Sequence, residues 1–180
     1  LAGGNGVIAV DLGSSPITCS LVLDDLADVQ AAVQRTRRLL ALDCDPTAVN
    51  DVLARDEMLA PLVVARPGLR ALGHPDGTEL LVRAVLGQQV SVAGARTLAR
   101  RLVEAHGEAL ARPVDGVTHA FPAAATVAAM HPAYFAMTRA RGAALINACA
   151  RLADGTIVLD AGSDRAAAIA ALEALPGLGP

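Results

Sequence analysis

The period of the hydrophobic pattern changes at Asp24, and that change limits the fold more than any other feature of the chain. Before it, Val7-Ile-Ala-Val10 and Ile17-Thr-Cys-Ser-Leu-Val-Leu23 are runs rich in β-branched residues, separated by Gly13-Ser-Ser-Pro16, and they read as a β-hairpin. Two strands alone are marginal in water, so the hairpin is expected to belong to a sheet with further strands upstream of Leu1. After Asp24 the apolar residues recur at helical spacing. Asp24 and Asp25 are candidate caps for a helix with Leu26, Val29, Val33 and Leu40 on one face, and Arg35, Arg37 and Arg38 lie near its end, where the helix dipole favours cations. Asp45-Pro46 opens a second helix through Val49, Val52 and Leu53, with proline at a first position that needs no N–H. The loop 66–77 is dense in proline and glycine and reads as a junction.

Asp76 and Glu79 have the spacing of a capping box ahead of Leu80, Leu81, Ala84 and Val85, in a helix ending at Leu86-Gly87. Ser91 caps the next, with Val92, Ala95, Leu98 and Leu102 inward and Gly107 as its C′ residue. Arg96, Arg100 and Arg101 form a stripe on that helix, read as a solvated face. Short helical pieces are expected around 127–130 and 134–137. Thr138 caps a longer helix burying Leu145, Ile146, Cys149 and Leu152 and stopping at Gly155, and Ser163 or Asp164 opens the last, with Ile169, Leu172 and Leu175 inward. The expected fold is mainly α, an all-helical body preceded by the last strands of an antiparallel α+β domain. Its parts are residues 1–40 (hairpin plus helix, the end of the α+β domain), 41–75 (connecting helices and loop) and 76–180 (helical domain).

Composition narrows the function. Of 180 residues, 53% are hydrophobic, enough for a core, but tryptophan is absent and Tyr134, Phe121 and Phe135 are the only aromatic residues besides histidine, so a pocket here lacks aromatic walls. The net charge of −3 is without the positive excess usual in nucleic-acid-binding domains. All 15 basic residues are arginine, in a chain so rich in alanine that a GC-rich coding bias accounts for the choice. Cys19, Cys44 and Cys149 are odd in number and widely spaced, which indicates neither a disulfide framework nor a zinc site and suits a reducing cytoplasm. The uncharged stretch 116–138 is broken by Pro122, Pro132, His119 and His131, and no leader pattern is present, so the protein is expected to be soluble and cytoplasmic, without membrane contact.

Two stretches carry chemistry. In "LLVRAVLGQQVSVAGARTLARRLVEAHG", two adjacent carboxamides, Gln88 and Gln89, sit between a helix end and a helix start, at an exposed tip beside unpaired backbone N–H groups. Glutamine can hydrogen-bond a base left without its partner, and its stem can fill the vacated space. Residue types alone favour the plainer alternative, in which these side chains satisfy the local loop backbone. The second stretch, the closing "ALEALPGLGP", has glycines at 177 and 179 that permit a left-handed backbone and a close approach; a helix starting after them would aim its amides at an anion.

In this order, the two stretches resemble the DNA-3-methyladenine glycosylase II family, the AlkA type of helix-hairpin-helix base-excision glycosylase. "RAVLGQQVSVAGARTLARRL" is similar to that family's helix-loop-helix and "LEALPGLGP" to the first half of its hairpin; "LLALDCDPTAVNDVLARD" and "RPGLRALGHPDGTELLVRAVLGQQ" are similar to the segments leading there. The resemblance covers nearly the whole chain, incomplete at both ends. It implies base-excision repair: an alkylated base of the 3-methyladenine type is flipped from duplex DNA and its N-glycosidic bond hydrolysed. It implies Gln89 as the wedge with Gln88 before it, Ser91 beside them, and Pro176, Gly177, Leu178 and Gly179 gripping a phosphate through the backbone. It implies no cofactor except a structural Na+ or K+ at the hairpin, held by the main-chain carbonyls of Glu173, Leu175 and Leu178. The partner implied is damaged double-stranded DNA, bound by a monomer. The family's catalytic aspartate falls beyond the hairpin, and Asp154, Asp160 and Asp164 do not match it, so no catalytic residue is assigned and these 180 residues alone are expected to be inactive. The alternative reading is a noncatalytic helix-hairpin-helix DNA-binding module.

Overall fold

The computed structural model describes residues 4–160 and 162–178. Strands β1 (Gly6–Asp11) and β2 (Thr18–Leu23) pair antiparallel, Gly6 opposite Leu23 and Asp11 opposite Thr18. A 3-10 turn, Leu26–Asp28, leads into α1 (Val29–Leu39), with the Asp25 carboxylate accepting from the Ala27 amide. Then follow α2 (Pro46–Leu53), α3 (Ala60–Ala65), α4 (Gly77–Gly87), α5 (Val92–His106), β3 (Glu108–Val114), β4 (Val117–Ala120), α6 (Ala124–Ala128), a 3-10 turn Pro132–Tyr134, α7 (Arg139–Ala153) and α8 (Arg165–Glu173).

Capping residues set most of these starts. Asp45 accepts from Thr47 N, Asp76 from Glu79 N at 2.9 Å, Ser91 from Gly94 N at 3.1 Å, Thr138 from Arg141 N at 3.4 Å, and Asp164 from the amides of Ala166 and Ala167. The capping box at α4 is only half made, because Glu79 turns outward to Arg83, 2.6 Å away. Asp24 is not a helix cap; it accepts from Asn5 N across the mouth of the hairpin.

The core is aliphatic and lies among four helices. Val82, Val85 and Leu86 of α4, Ala99 and Leu102 of α5, Val127 of α6, and Leu145 and Cys149 of α7 close around Phe135. A second cluster, Ala148, Ile157 and Leu175, lies against the other side of α7, and Leu81 and Leu178 touch both. Each fully buried leucine contributes about 1.5–3 kcal/mol through removal from water. The N-terminal hairpin is tied to β3 by the Arg112 guanidinium, which donates to the Leu23 carbonyl, and the end of α1 is tied to the loop before α4 by Gly73 N, which donates to Leu39 O at 3.0 Å.

Four expectations are corrected. The body is not all-helical: β3 and β4 form a bulged hairpin whose turn is Asp115-Gly116, with φ of +48° and +83°. Asp-Gly is the composition such a turn requires, but Pro113 and the bulge break the alternation that would have revealed the strands. Residues 134–137 are not helical beyond the turn at Tyr134. Gly107 is not left-handed; its φ is −69° and it is glycine for want of room, since a Cβ there would stand 2.5 Å from Val103 O and 2.6 Å from Ala120 O. Finally, several predicted inward faces are rotated. In α1 the buried residues are Ala32 and Thr36, while Leu26, Val29 and Val33 are exposed; small side chains let the helix approach the narrow two-stranded sheet. Val92 of α5, the apolar residues of α2 and Ile169 of α8 are likewise exposed. Helix α3, which follows a turn where Asp56 accepts from Met58 N and Leu59 N, has no side-chain cap of its own and no counterpart among the expected elements.

Burial pushes the Cys149 thiol up to about 12, whereas Cys19 and Cys44 are exposed. Below the ordinary thiol value both folded and unfolded chains are protonated there and the burial is fully stabilising; as pH rises toward 12 the unfolded chain ionises first and that contribution is lost. A thiol reagent at pH 8 is expected to label two cysteines quickly and Cys149 only on unfolding, read by mass spectrometry. Gly107→Ala is expected to cost about 1–3 kcal/mol through overpacking, read as a lower thermal midpoint.

Candidate nucleic-acid interface

The α4–α5 connection reverses the chain within four residues. Helix α4 ends at Gly87, Gln88 is extended (φ −67°, ψ 133°), Gln89 is left-handed at φ +60°, and Ser91 caps α5. A left-handed non-glycine residue costs on the order of 1 kcal/mol, and such strain persists only where surrounding structure enforces it. Gln88, Gln89, Val90 and Ser91 are all exposed, so the tip points away from the core.

The two glutamines differ. The Gln88 amide donates to Val85 O at 3.3 Å, and its side-chain oxygen lies 3.4 Å from Arg141 Nη2. The Gln89 side chain makes no hydrogen bond among the described residues. Neither carboxamide is occupied with the loop's own backbone, one of the alternatives the residue types left open.

The closing bend follows α8. Leu175 is buried, Pro176 and Gly177 are exposed, and Leu178 is half-buried with its amide donating to Leu175 O at 3.1 Å. Gly177 has φ +87°, and a Cβ added there would meet the Ala144 side chain at 3.1 Å. Glycine is therefore required twice, by conformation and by contact with α7. Gly179, assigned to the same grip, lies outside the described residues.

Helix α7 joins the two elements. Its Arg141 reaches the end of α4 at Val85 O (2.8 Å) and Gln88 O (3.1 Å), while Ala140 and Ala144 support the bend at Gly177. Tip and bend thus rest on the first turns of one helix. Sequence reasoning overlooked Arg141, whose contacts lie 53 and 56 positions away and leave no local signature.

Other candidates are engaged elsewhere. Arg96 and Arg100 line a groove of about 870 Å³ between β1, α1, α5 and β4, whose aromatic lining is Phe121 and His119, and Arg100 pairs with Glu104 at 3.0 Å. Hydrogen bonding from Thr156, through its side chain first and its backbone amide second, holds the exposed Asp154 carboxyl below the usual range; Asp160 lies 3.5 Å from Arg38; Asp164 caps α8. No cluster of three or more His, Cys, Asp or Glu side chains suited to a metal occurs among the described residues. Among the same residues, no helix is long and apolar enough to cross a membrane.

Residues 1–76 match the AlkA N-terminal domain. Over its full 180 residues the chain is 42% identical to the "Probable bifunctional transcriptional activator/DNA repair enzyme AlkA" of Mycobacterium tuberculosis strain H37Rv, of which it covers 36%. It is 37% identical over 145 residues, 79% of this chain and 49% of the relative, to DNA-3-methyladenine glycosylase 2 of Escherichia coli K12. The chain therefore spans about a third to a half of the length of these curated relatives. The backbone is similar to that of Clostridium acetobutylicum 8-oxoguanine glycosylase/lyase, with TM-scores of 0.73 to the apo form and 0.72 to the complex with dsDNA containing cytosine opposite 8-oxoG, at 18% identity and over 96% of this chain and 60% and 59% of those chains. At that identity the likeness concerns fold alone. Sequence and fold agree: residues 1–76 carry the AlkA N-terminal domain, and the chain as a whole is similar in sequence to the AlkA relatives.

Proposed function

We propose that the protein acts in base-excision repair, engaging damaged duplex DNA as a monomer in the cytoplasm and serving hydrolysis of the N-glycosidic bond of a flipped, alkylated base. The observation that carries this reading is the exposed, strained Gln88-Gln89 tip resting on the same helix turns as the glycine bend. In this reading Gln89 enters the stack with its carboxamide available to the partner base, Gln88 and Ser91 adjoin the backbone of the opened site, and Pro176, Gly177, Leu178 and Gly179 hold a phosphate through main-chain groups, a contact that positions without reading sequence. The AlkA N-terminal domain match, the sequence likeness to the AlkA relatives, and a fold shared with a glycosylase solved on dsDNA support it.

A monovalent cation fits the bend in part. The Leu175 carbonyl already accepts from Leu178 N, which leaves one lone pair, and with the carbonyls of Glu173 and Leu178 it would supply oxygen ligands that stiffen the bend and soften the approach of a phosphate. Residues 1–40, 41–75 and 76–180 then serve as sheet end, connection and DNA-engaging domain. Chemistry at the sugar needs a carboxylate beside the developing positive charge. Because Asp154, Asp160 and Asp164 are engaged locally, we assign none of them that task and expect no base release from residues 1–180 alone.

The test is fluorescence anisotropy with duplexes containing an abasic-site analogue or no lesion, over a salt series. Because flipping an unpaired site avoids a few kcal/mol of unstacking, the abasic duplex is expected to bind about tenfold or more tighter, with affinity falling as salt rises. Equal affinity for both duplexes overturns the reading. Gln89→Gly relieves the left-handed strain while adding unfolded-state entropy, so its stability is expected to stay within about 1 kcal/mol of the parent. Its preference for the abasic duplex is expected to disappear; full retention would remove Gln89 from the interface.

A further inference from the structure

We infer that Arg141 is a positioning residue, holding the Gln88-Gln89 tip in its DNA-engaging conformation from a different helix. The inference deepens the reading above and rests on it for its functional meaning, but its structural content stands separately. A single nitrogen, Nη2, lies within reach of three oxygens: Val85 O at 2.8 Å, Gln88 O at 3.1 Å and Gln88 Oε1 at 3.4 Å. The first, a carbonyl in the last turn of α4, accepts from the Gln88 amide at 3.3 Å and from the guanidinium as a second donor, and the guanidinium stands at the negative end of the α4 dipole. The other two belong to the residue immediately before Gln89, whose φ of +60° lies outside the conformations its side chain prefers. Fixing Gln88 on both its carbonyl and its side chain leaves Gln89 little freedom to relax toward an ordinary backbone.

The rest of the arginine shows that the contact is poorly made for stability. Its Nε is buried and has no hydrogen-bond partner among the described residues, a cost that an apolar side chain of similar length would not incur. The base of the side chain is nonetheless firmly placed. Thr138 caps the first turn of α7 by accepting from Arg141 N, and Gly142 packs so closely on the turn at Pro132 that a Cβ would stand 2.6 Å from Pro132 O. Arg141 thus projects from a fixed shelf onto a connection that keeps an unfavourable backbone geometry at Gln89. The same shelf supports Gly177 through Ala140 and Ala144, so the clamp also sets the separation of tip and bend.

The experiment compares the full chain with Arg141→Met and Arg141→Lys. Amide exchange and heteronuclear NOE at Gln88, Gln89 and Val90 report tip order without DNA; anisotropy on abasic and intact duplexes reports discrimination; thermal unfolding reports stability. For Arg141→Met we expect a nearly unchanged thermal midpoint, tip amides exchanging about 10- to 100-fold faster after loss of the charged donor, and preference for the abasic duplex reduced about tenfold with affinity for intact duplex little altered. Arg141→Lys keeps one charged donor and is expected to recover part of both losses. If Arg141→Met does not fold, Arg141→Lys decides by the same measurements, with an intermediate tip order expected. Unchanged tip exchange together with unchanged discrimination overturns the inference, as does a loss of stability that lowers binding to both duplexes equally. Should the parent chain itself fail to discriminate, the functional reading falls, while tip exchange in the two variants still decides whether Arg141 is the clamp.

Discussion

The burial of one helix, α7, on two sides organises the molecule. Leu145 and Cys149 enter the cluster built by α4, α5, α6 and Phe135, while Ala148 enters the one built by Ile157 and Leu175. A helix gripped on both flanks has little freedom to slide or roll, and its first turns become a reference surface for whatever rests on them. Both candidate DNA elements rest there, one through a charged side chain and the other through small ones. The alternation of alanine with larger aliphatic residues along α7 makes this possible, because alanine on one flank admits the bend while leucine on the other fills the core.

How much of this was legible depends on the range of the interaction that fixes each feature. Caps act within three residues, and Asp45, Asp76, Ser91, Thr138 and Asp164 all announce their helices correctly. The face of α7 is legible because Leu145 and Cys149 meet a full core, whereas on α4 only Val85 of the expected face is buried, and Val82 and Leu86 take the places expected of Leu80 and Ala84. Faces that meet a thin partner or none among the described residues misled: on α1 the alanine and threonine won over valine and leucine, since distance to the sheet mattered more than hydrophobicity. The β3–β4 hairpin announced itself only by its turn residues. Arg141 could not have been found at all, because an arginine early in a helix looks like any solvated cation until its partners, more than fifty positions away, are known.

The site was legible as an order of motifs rather than as an arrangement. That Gln88-Gln89 follows a helix end and precedes a cap can be read directly; that Gln88 is held while Gln89 is free cannot. The acidic net charge sits comfortably with this arrangement, because the proposed grip relies on backbone groups and on a few local side chains, not on a broad positive surface. The arginine stripe on α5, the most obviously cationic feature of the sequence, faces a groove elsewhere and pairs in part with its own helix.

Leu178 gives the bend a mechanical character that its glycines alone would not suggest. The side chain is wedged into both apolar clusters, so lifting this corner would open a void in each at once. Pro176 and Gly177 are thereby held exposed above a buried anchor. On the proposed reading, a DNA backbone would meet a preset ridge there and would forfeit little motional freedom in settling on it, so that a few uncharged amides would do the work of a flexible cationic arm.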